Sequence, residues 1–147
     1  VSLYYKMIQQ PFLFQEFMHY CKFVLMEEMP LYYRLGEDNL ILLVERFYDL
    51  VFEDKQISHL FKNDKNEIKE KQRVFLTQFL GGPGLYSQQY GHPQMRARHM
   101  PHTITETDAI AWLSCMSLAI ESLPIEEKLK DELFARFPPT ALFMVNS

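Results

Sequence analysis

The chain has 147 residues, 23% of them charged, with a net charge of −4 and a pI near 5.7. That length gives room for one sizeable core. The acidic balance argues against nucleic acid or an anionic membrane surface as a partner. The two cysteines, Cys21 and Cys115, lie far apart without metal-ligand spacing, and are expected to be reduced thiols of a cytoplasmic protein.

Residues 1–29 differ in pattern from the rest of the chain. Pro11 breaks the segment. Beyond it Phe14, Phe17, Met18, Cys21, Val24 and Leu25 recur at spacings of three and four, one face of a helix. The expectation is an extra helical segment, a dispensable appendage to a domain spanning 30–147. The competing readings are a membrane or partner anchor formed by residues 1–25 and natural translation starting at Met26. The segment is not basic or Arg-rich as targeting peptides are, and no apolar run in the chain approaches the ~20 residues of a membrane span.

From Leu40, an apolar stripe of Leu40, Val44, Phe47, Tyr48, Val51 and Phe52 predicts an amphipathic helix, bent into two or continuous, with Asp38 or Asn39 as its cap. Tyr48 lies on the buried side, so its hydroxyl needs an internal partner. Ser58-His59-Leu60-Phe61 ends the unit, with His59 a solvated turn residue. Asn63 or Asp64 caps the next helix, 66–80, whose inward face is Ile68, Gln72, Phe75 and Phe79. An amide on that apolar face costs a few kcal/mol unless hydrogen-bonded, so a polar group must face Gln72. Lys71 flanks the same face.

Four of the five glycines then fall between Gly81 and Gly91, with Pro83, Pro93 and Pro101 nearby. This density of helix breakers predicts a shaped loop holding one short helix, Arg96-Ala97-Arg98-His99, limited by Pro101. Thr105 and Asp108 form a capping pair for a helix with stripes of Trp112, Cys115 and Ala119 beside Leu113, Met116 and Ile120. Pro124 starts the final helix, lined by Leu129, Leu133 and Phe137. Pro138-Pro139 should interrupt it, with a short continuation through Met144-Val145-Asn146. The fold class is all-α.

The segments FLTQFLGGPGLY (75–86), GHPQMRARHM (91–100) and AWLSCM (111–116) resemble, in that order, the group II truncated haemoglobins, over 30–147. The resemblance implies a 2-over-2 helical sandwich around haem. It makes His99, the histidine of the R-x-R-H motif, the proximal iron ligand, and Phe61 the phenylalanine packed flat on the haem. It makes Tyr48 the distal tyrosine and Trp112 the tryptophan donating into the distal pocket. Lys71 and Tyr86 become propionate partners, and Ile68 falls at the gate position, where many relatives carry a small residue or threonine.

The residues are suited to such a group. No Cys-x-x-Cys-His occurs, so the cofactor would be non-covalent haem b. Phe61, Phe75, Phe79, Leu80, Met100 and Leu113 are candidate walls, and Arg98 joins Lys71 as a candidate cation for the propionates. Tyr48, Gln72 and Trp112 can each donate a hydrogen bond on the distal side. The function implied is reversible binding of oxygen and other diatomic gases such as CO and NO. The alternative is a haem peroxidase or nitric oxide dioxygenase served by an external reductase, although no catalytic acid–base pair is visible. A haem-free regulatory helical domain is disfavoured by His99 and the intact loop. Zinc on His92, His99 and His102 matches no ligand spacing for a closed site.

Overall fold

A computed structural model describes residues 11–147; the readings that concern residues 1–10 lie outside it. The described residues are helices and loops, with no strand among them. They form two compact units that divide between Pro30 and Leu31. The first unit is helix α1, Pro11–Glu28. Phe12, Phe14, Phe17, Tyr20, Phe23 and Leu25 are exposed on it, so its apolar side chains are spread around the helix and not gathered on one covered stripe. No helix among the described residues is long and apolar enough to cross a membrane.

The second unit contains α2 (Leu31–Leu35), α3 (Glu37–Glu53), a 3-10 turn (Ser58–Leu60), α4 (Lys65–Phe79), α5 (Leu85–Tyr90), α6 (Met95–His99), α7 (Glu106–Glu121), α8 (Glu127–Phe134) and α9 (Pro138–Phe143). Helix α3 is the spine. Its buried face of Leu40, Leu43, Val44, Phe47, Tyr48 and Val51 packs against α4 and α7. Helix α7 answers with Cys115, Met116, Ala119 and Ile120, and Leu133 and Phe137 close the core from the C-terminal side. Each Leu or Phe fully buried here contributes about 1.5–3 kcal/mol.

The caps divide between agreement and correction. Asp64 accepts from the backbone N–H groups of Asn66 and Glu67, and Thr105 with Asp108 forms a reciprocal capping box. Helix α3, however, starts earlier than Asp38 or Asn39 would allow, at Gly36 with φ +82°. Gly36 donates to Tyr32 O and accepts from Leu40 N, each at 3.0 Å, so one residue ends α2 and opens α3. Only glycine adopts that backbone cheaply. Asp38 instead sits in the first turn, complementing the helix dipole, and Asn39 donates back to Leu35 O at 2.9 Å.

The C-terminal region differs from expectation as well. Helix α8 begins at Glu127, beyond Pro124. Pro138 and Pro139 then open α9, where proline's missing N–H costs nothing, and Met144 caps that helix instead of continuing it. The Gly/Pro loop holds two short helices, α5 and α6, where the sequence suggested one.

Gly82 is a point of close approach. A Cβ there would lie 2.6 Å from the Tyr32 ring carbons Cγ and Cδ1 and 2.8 Å from Thr77 O. The same junction is tied by Tyr32 N–H donating to Leu80 O at 3.0 Å. Gly82→Ala should therefore lower unfolding stability by about 1–3 kcal/mol through overpacking. Gly36→Ala has open space around its methyl and should lose about 1–2 kcal/mol from backbone strain alone. Urea unfolding of the two variants checks both values.

Candidate functional site

The inward face of α4 separates into two parts. Val74, Leu76 and Thr77 are buried in the core, whereas Ile68, Gln72, Phe75 and Phe79 are only half-buried. Phe61, Trp112 and Leu113 share that intermediate status and pack against the core from outside. Half-buried aromatic and aliphatic side chains grouped this way make a broad apolar surface beside the core.

A continuous chain of ring contacts runs along that surface. Phe61 meets Tyr48 at 5.8 Å between centroids, and Tyr48 meets Phe47 at 4.9 Å. Phe47 meets Trp112 at 5.0 Å, and Trp112 meets Phe137 at 5.8 Å. Phe137 then contacts Phe79 (5.7 Å), Phe79 contacts Phe75 (5.5 Å), and Phe75 contacts Tyr86 (5.6 Å). Most are edge-on or tilted, the arrangement that ring quadrupoles favour. The chain of rings brings together Tyr48, Phe61, Phe75, Tyr86 and Trp112, each from a different segment. Phe47 and Phe137 are linking rings that the sequence placed in the core without assigning them a site role.

Two polar groups are set into this surface. The Tyr48 hydroxyl, on a residue only 3% exposed, donates to Gln72 Oε1 at a long 3.4 Å. Burial pushes the phenol well above its ordinary pKa, so it stays a neutral donor. The pair answers the sequence question about both residues: each polar group meets the other. A bond this long is weak and leaves the hydroxyl able to turn to another acceptor.

The cationic candidates lie by the short helices. Lys71 is exposed, with Nζ 5.1 Å from the Tyr90 ring centroid. Arg98 lies 5.6 Å from the Tyr86 ring and donates to Tyr90 O (2.8 Å) and His92 O (3.4 Å), so part of its donor set serves its own loop. The Tyr86 and Tyr90 rings meet at 5.1 Å. Two suggested wall residues fall elsewhere. Leu80 belongs to the core at 3% exposure, and Met100, next to the Pro101 turn, is 54% exposed.

His99 ends α6 and is half-buried. Its Nδ1 lies 2.5 Å from Met95 O. A carbonyl only accepts, so Nδ1 carries a proton, and in the neutral ring the lone pair is on Nε2. This is the usual way a backbone carbonyl sets a histidine for metal ligation. Helix α6 starts from Gln94, whose φ of +43° is left-handed. Asn146 donates to the backbone carbonyls of His99 and His102, and Arg96 donates to those of Phe143 and Val145, contacts the sequence did not signal. No three His, Cys, Asp or Glu side chains among the described residues converge as a metal set. A lone imidazole with no companion metal ligands among the described residues, in a chain that also carries a half-buried aromatic surface with Lys71 and Arg98 over its Tyr90 and Tyr86 rings, suits a planar iron macrocycle better than a bare ion.

Helix α7, which carries Trp112, is anchored at its start by Asp108. The Thr105 backbone N–H (2.9 Å) and the Gln56 amide (2.8 Å) donate to its carboxylate, and these bonds hold the carboxyl below its usual range. A carboxyl with a lower pKa folded than unfolded adds stability above the unfolded value, about 4, and loses it as pH falls through the folded value. Asp108→Asn should therefore be less stable at neutral pH and lose less further stability on acidification below about pH 4. Thermal melts across that range check this.

The profile of the bacterial-like globin family matches residues 30–146. A group 2 truncated hemoglobin of Bacillus subtilis is 44% identical over 115 residues, covering 78% of this chain and 87% of that protein. The crystal structure of the group II truncated hemoglobin from Bacillus anthracis superposes with a TM-score of 0.77 at 41% identity, covering 81% of this chain and 92% of the other. The structure of the truncated oxygen-avid haemoglobin from Bacillus subtilis gives the same TM-score at 43% identity, covering 80% and 100%.

Proposed function

Because the chain belongs to the group II truncated haemoglobins, a family of haem-binding globins, we propose that it reversibly binds oxygen and other diatomic gases such as CO and NO. The cofactor would be haem b, held without a covalent link, and His99 Nε2 would bind its iron. The observation that carries this is the Nδ1–H of His99 donating to Met95 O, which leaves Nε2 as the free nitrogen. Haem, when bound, would supply the iron that binds the gas. Phe61, Ile68, Phe75 and Trp112 form the apolar walls that exclude water. Lys71, Arg98 and the Tyr86 hydroxyl receive the carboxylates at the cofactor's edge. Residues 30–147 make up this domain, and residues 1–29 are an appendage that it does not need.

The protein should accordingly be red, with a visible spectrum that shifts on reduction and again on adding CO. His99→Ala should abolish the histidine-ligated ferrous spectrum, whereas His92→Ala and His102→Ala should keep it, as should a chain lacking residues 1–25. A histidine-ligated spectrum surviving in His99→Ala would exclude the ligand assignment.

On the distal side the donors are Tyr48, Gln72 and Trp112. With haem held in place, hydrogen bonds donated by these side chains would slow the release of oxygen, a good acceptor, more than that of CO, a poor one. The Tyr48 hydroxyl donates its one hydrogen to Gln72 Oε1 over a long 3.4 Å, a weak bond that holds the hydroxyl in place and that it would exchange for one to the gas. Isoleucine at position 68 neither donates nor ligates, so it shapes access to the pocket. Losing one net hydrogen bond of ~1–1.5 kcal/mol corresponds to roughly tenfold in dissociation, expressed mainly in the off-rate. Tyr48→Phe and Trp112→Phe should each speed oxygen release about tenfold and CO release less. The double variant should be non-additive, because both donors address one ligand. Stopped-flow oxygen displacement measures all of these rates.

A further inference from the structure

Helix α6 has five residues, too few to hold a conformation by its own hydrogen bonds. It opens from a strained Gln94 and is followed by the turn at Pro101. Arg96, Ala97 and Arg98 are exposed. The ring of His99 is fixed to its own helix through Met95 O. The remaining freedom is movement of that helix as a body, and this must be restrained from outside.

The restraint comes from the last residues of the chain. Asn146 Nδ2 donates to His102 O at 2.8 Å and to His99 O at 3.4 Å. Its Oδ1 accepts from Ile104 N–H at 3.0 Å, and its own N–H donates to Ile104 O at 3.0 Å. One side chain and one amide thus bind the backbone at His99, His102 and Ile104. On the other side of the histidine, Arg96 Nη1 donates to Phe143 O and to Val145 O, the second at 3.2 Å, and its guanidinium lies 5.3 Å from the Phe143 ring. These bonds are charge-assisted, and so stronger than neutral ones.

We propose that Asn146 is a positioning residue for the axial imidazole: it clamps the backbone of His99 to the C-terminal tail and so sets the ring's aim, with Arg96 as the second point of the clamp. This rests on the reading of His99 as the iron ligand. The clamp acts on the direction of Nε2 and on the strength of the iron–nitrogen bond, and through that bond on how firmly the cofactor is kept. Asn146 has no part in the distal hydrogen bonds, so it should affect retention and the iron–histidine bond without acting on the gas directly.

The test uses the full chain loaded with haem. Asn146→Ala removes all the side-chain bonds. Asn146→Asp keeps an acceptor for Ile104 N–H but cannot donate to the His99 and His102 carbonyls. Arg96→Lys keeps the charge and loses the fork. Three quantities are read: the iron–histidine stretching band of the ferrous protein by resonance Raman, the rate of haem transfer to a scavenging apoglobin, and the melting temperature. Both Asn146 variants should shift or broaden the band and speed haem loss about tenfold, the scale of one lost hydrogen bond. Arg96→Lys should do the same to a smaller extent. Gly82→Ala, which overpacks the junction with Tyr32 and Thr77 and touches none of these bonds, should lower the melting temperature without moving the band. An unmoved band in both Asn146 variants, or an equal shift in Gly82→Ala, overturns the clamp. A wild-type protein without a histidine-ligated band overturns the ligand assignment and the clamp with it, and is told apart by failing before any variant is compared.

Discussion

The contact of Phe47 with its neighbours ties the core of this protein to the half-buried aromatic surface beside it. Phe47 is completely buried, and its ring meets Tyr48 on one side and Trp112 on the other. The two side chains with polar tips are thereby set by the packing of α3 on α7, the most extensive helix–helix contact in the domain. A hydroxyl and an indole on loops would wander by more than the length of a hydrogen bond. On packed helices they are held in fixed rotamers, which is what a preorganised pocket requires.

The surroundings of His99 are built by the opposite means. This histidine lies on a helix of five residues between two loops, and the packing that holds Tyr48 is not available to it. Hydrogen bonds supply the order instead: the ring to Met95 O, Arg98 to the carbonyls of Tyr90 and His92, and the C-terminal tail to the carbonyls of His99 and His102. Directional bonds fix orientation where apolar burial is thin. The glycines and prolines before His99 are compatible with this, because they keep α5 and α6 short, and a short helix leaves end carbonyls such as that of Tyr90 open to such donors.

The capping box at Thr105 and the Asp64 cap were legible because those motifs are local: donor and acceptor lie within three residues. The start of α3 was not, since Asp38 is a good cap in isolation. Gly36 took the role because it also had to end α2, a demand visible only once both helices were in place. Pro138 and Pro139 were correctly placed at an interruption, but they open a helix there because a preceding turn feeds them. Leu80 and Met100 look alike in a hydrophobic pattern, yet one is buried in the core and the other faces solvent.

Periodicity and spacing within the sequence alone determined the all-helical class, the polar side chains Tyr48 and Gln72 on two separate apolar stripes, and the short element ending in His99. Each follows from interactions between residues close along the chain, or from a pattern that repeats every three or four positions. Only the tertiary structure decided that Gln72 is the partner of Tyr48, that Phe47 and Phe137 bridge the rings, and that Asn146 reaches the backbone of His99. Tyr48 and Gln72 are 24 positions apart in the chain, and His99 and Asn146 are 47 apart. The geometry of such contacts depends on where whole helices come to rest. No local rule in the chain encodes that distance; the packing of the core does.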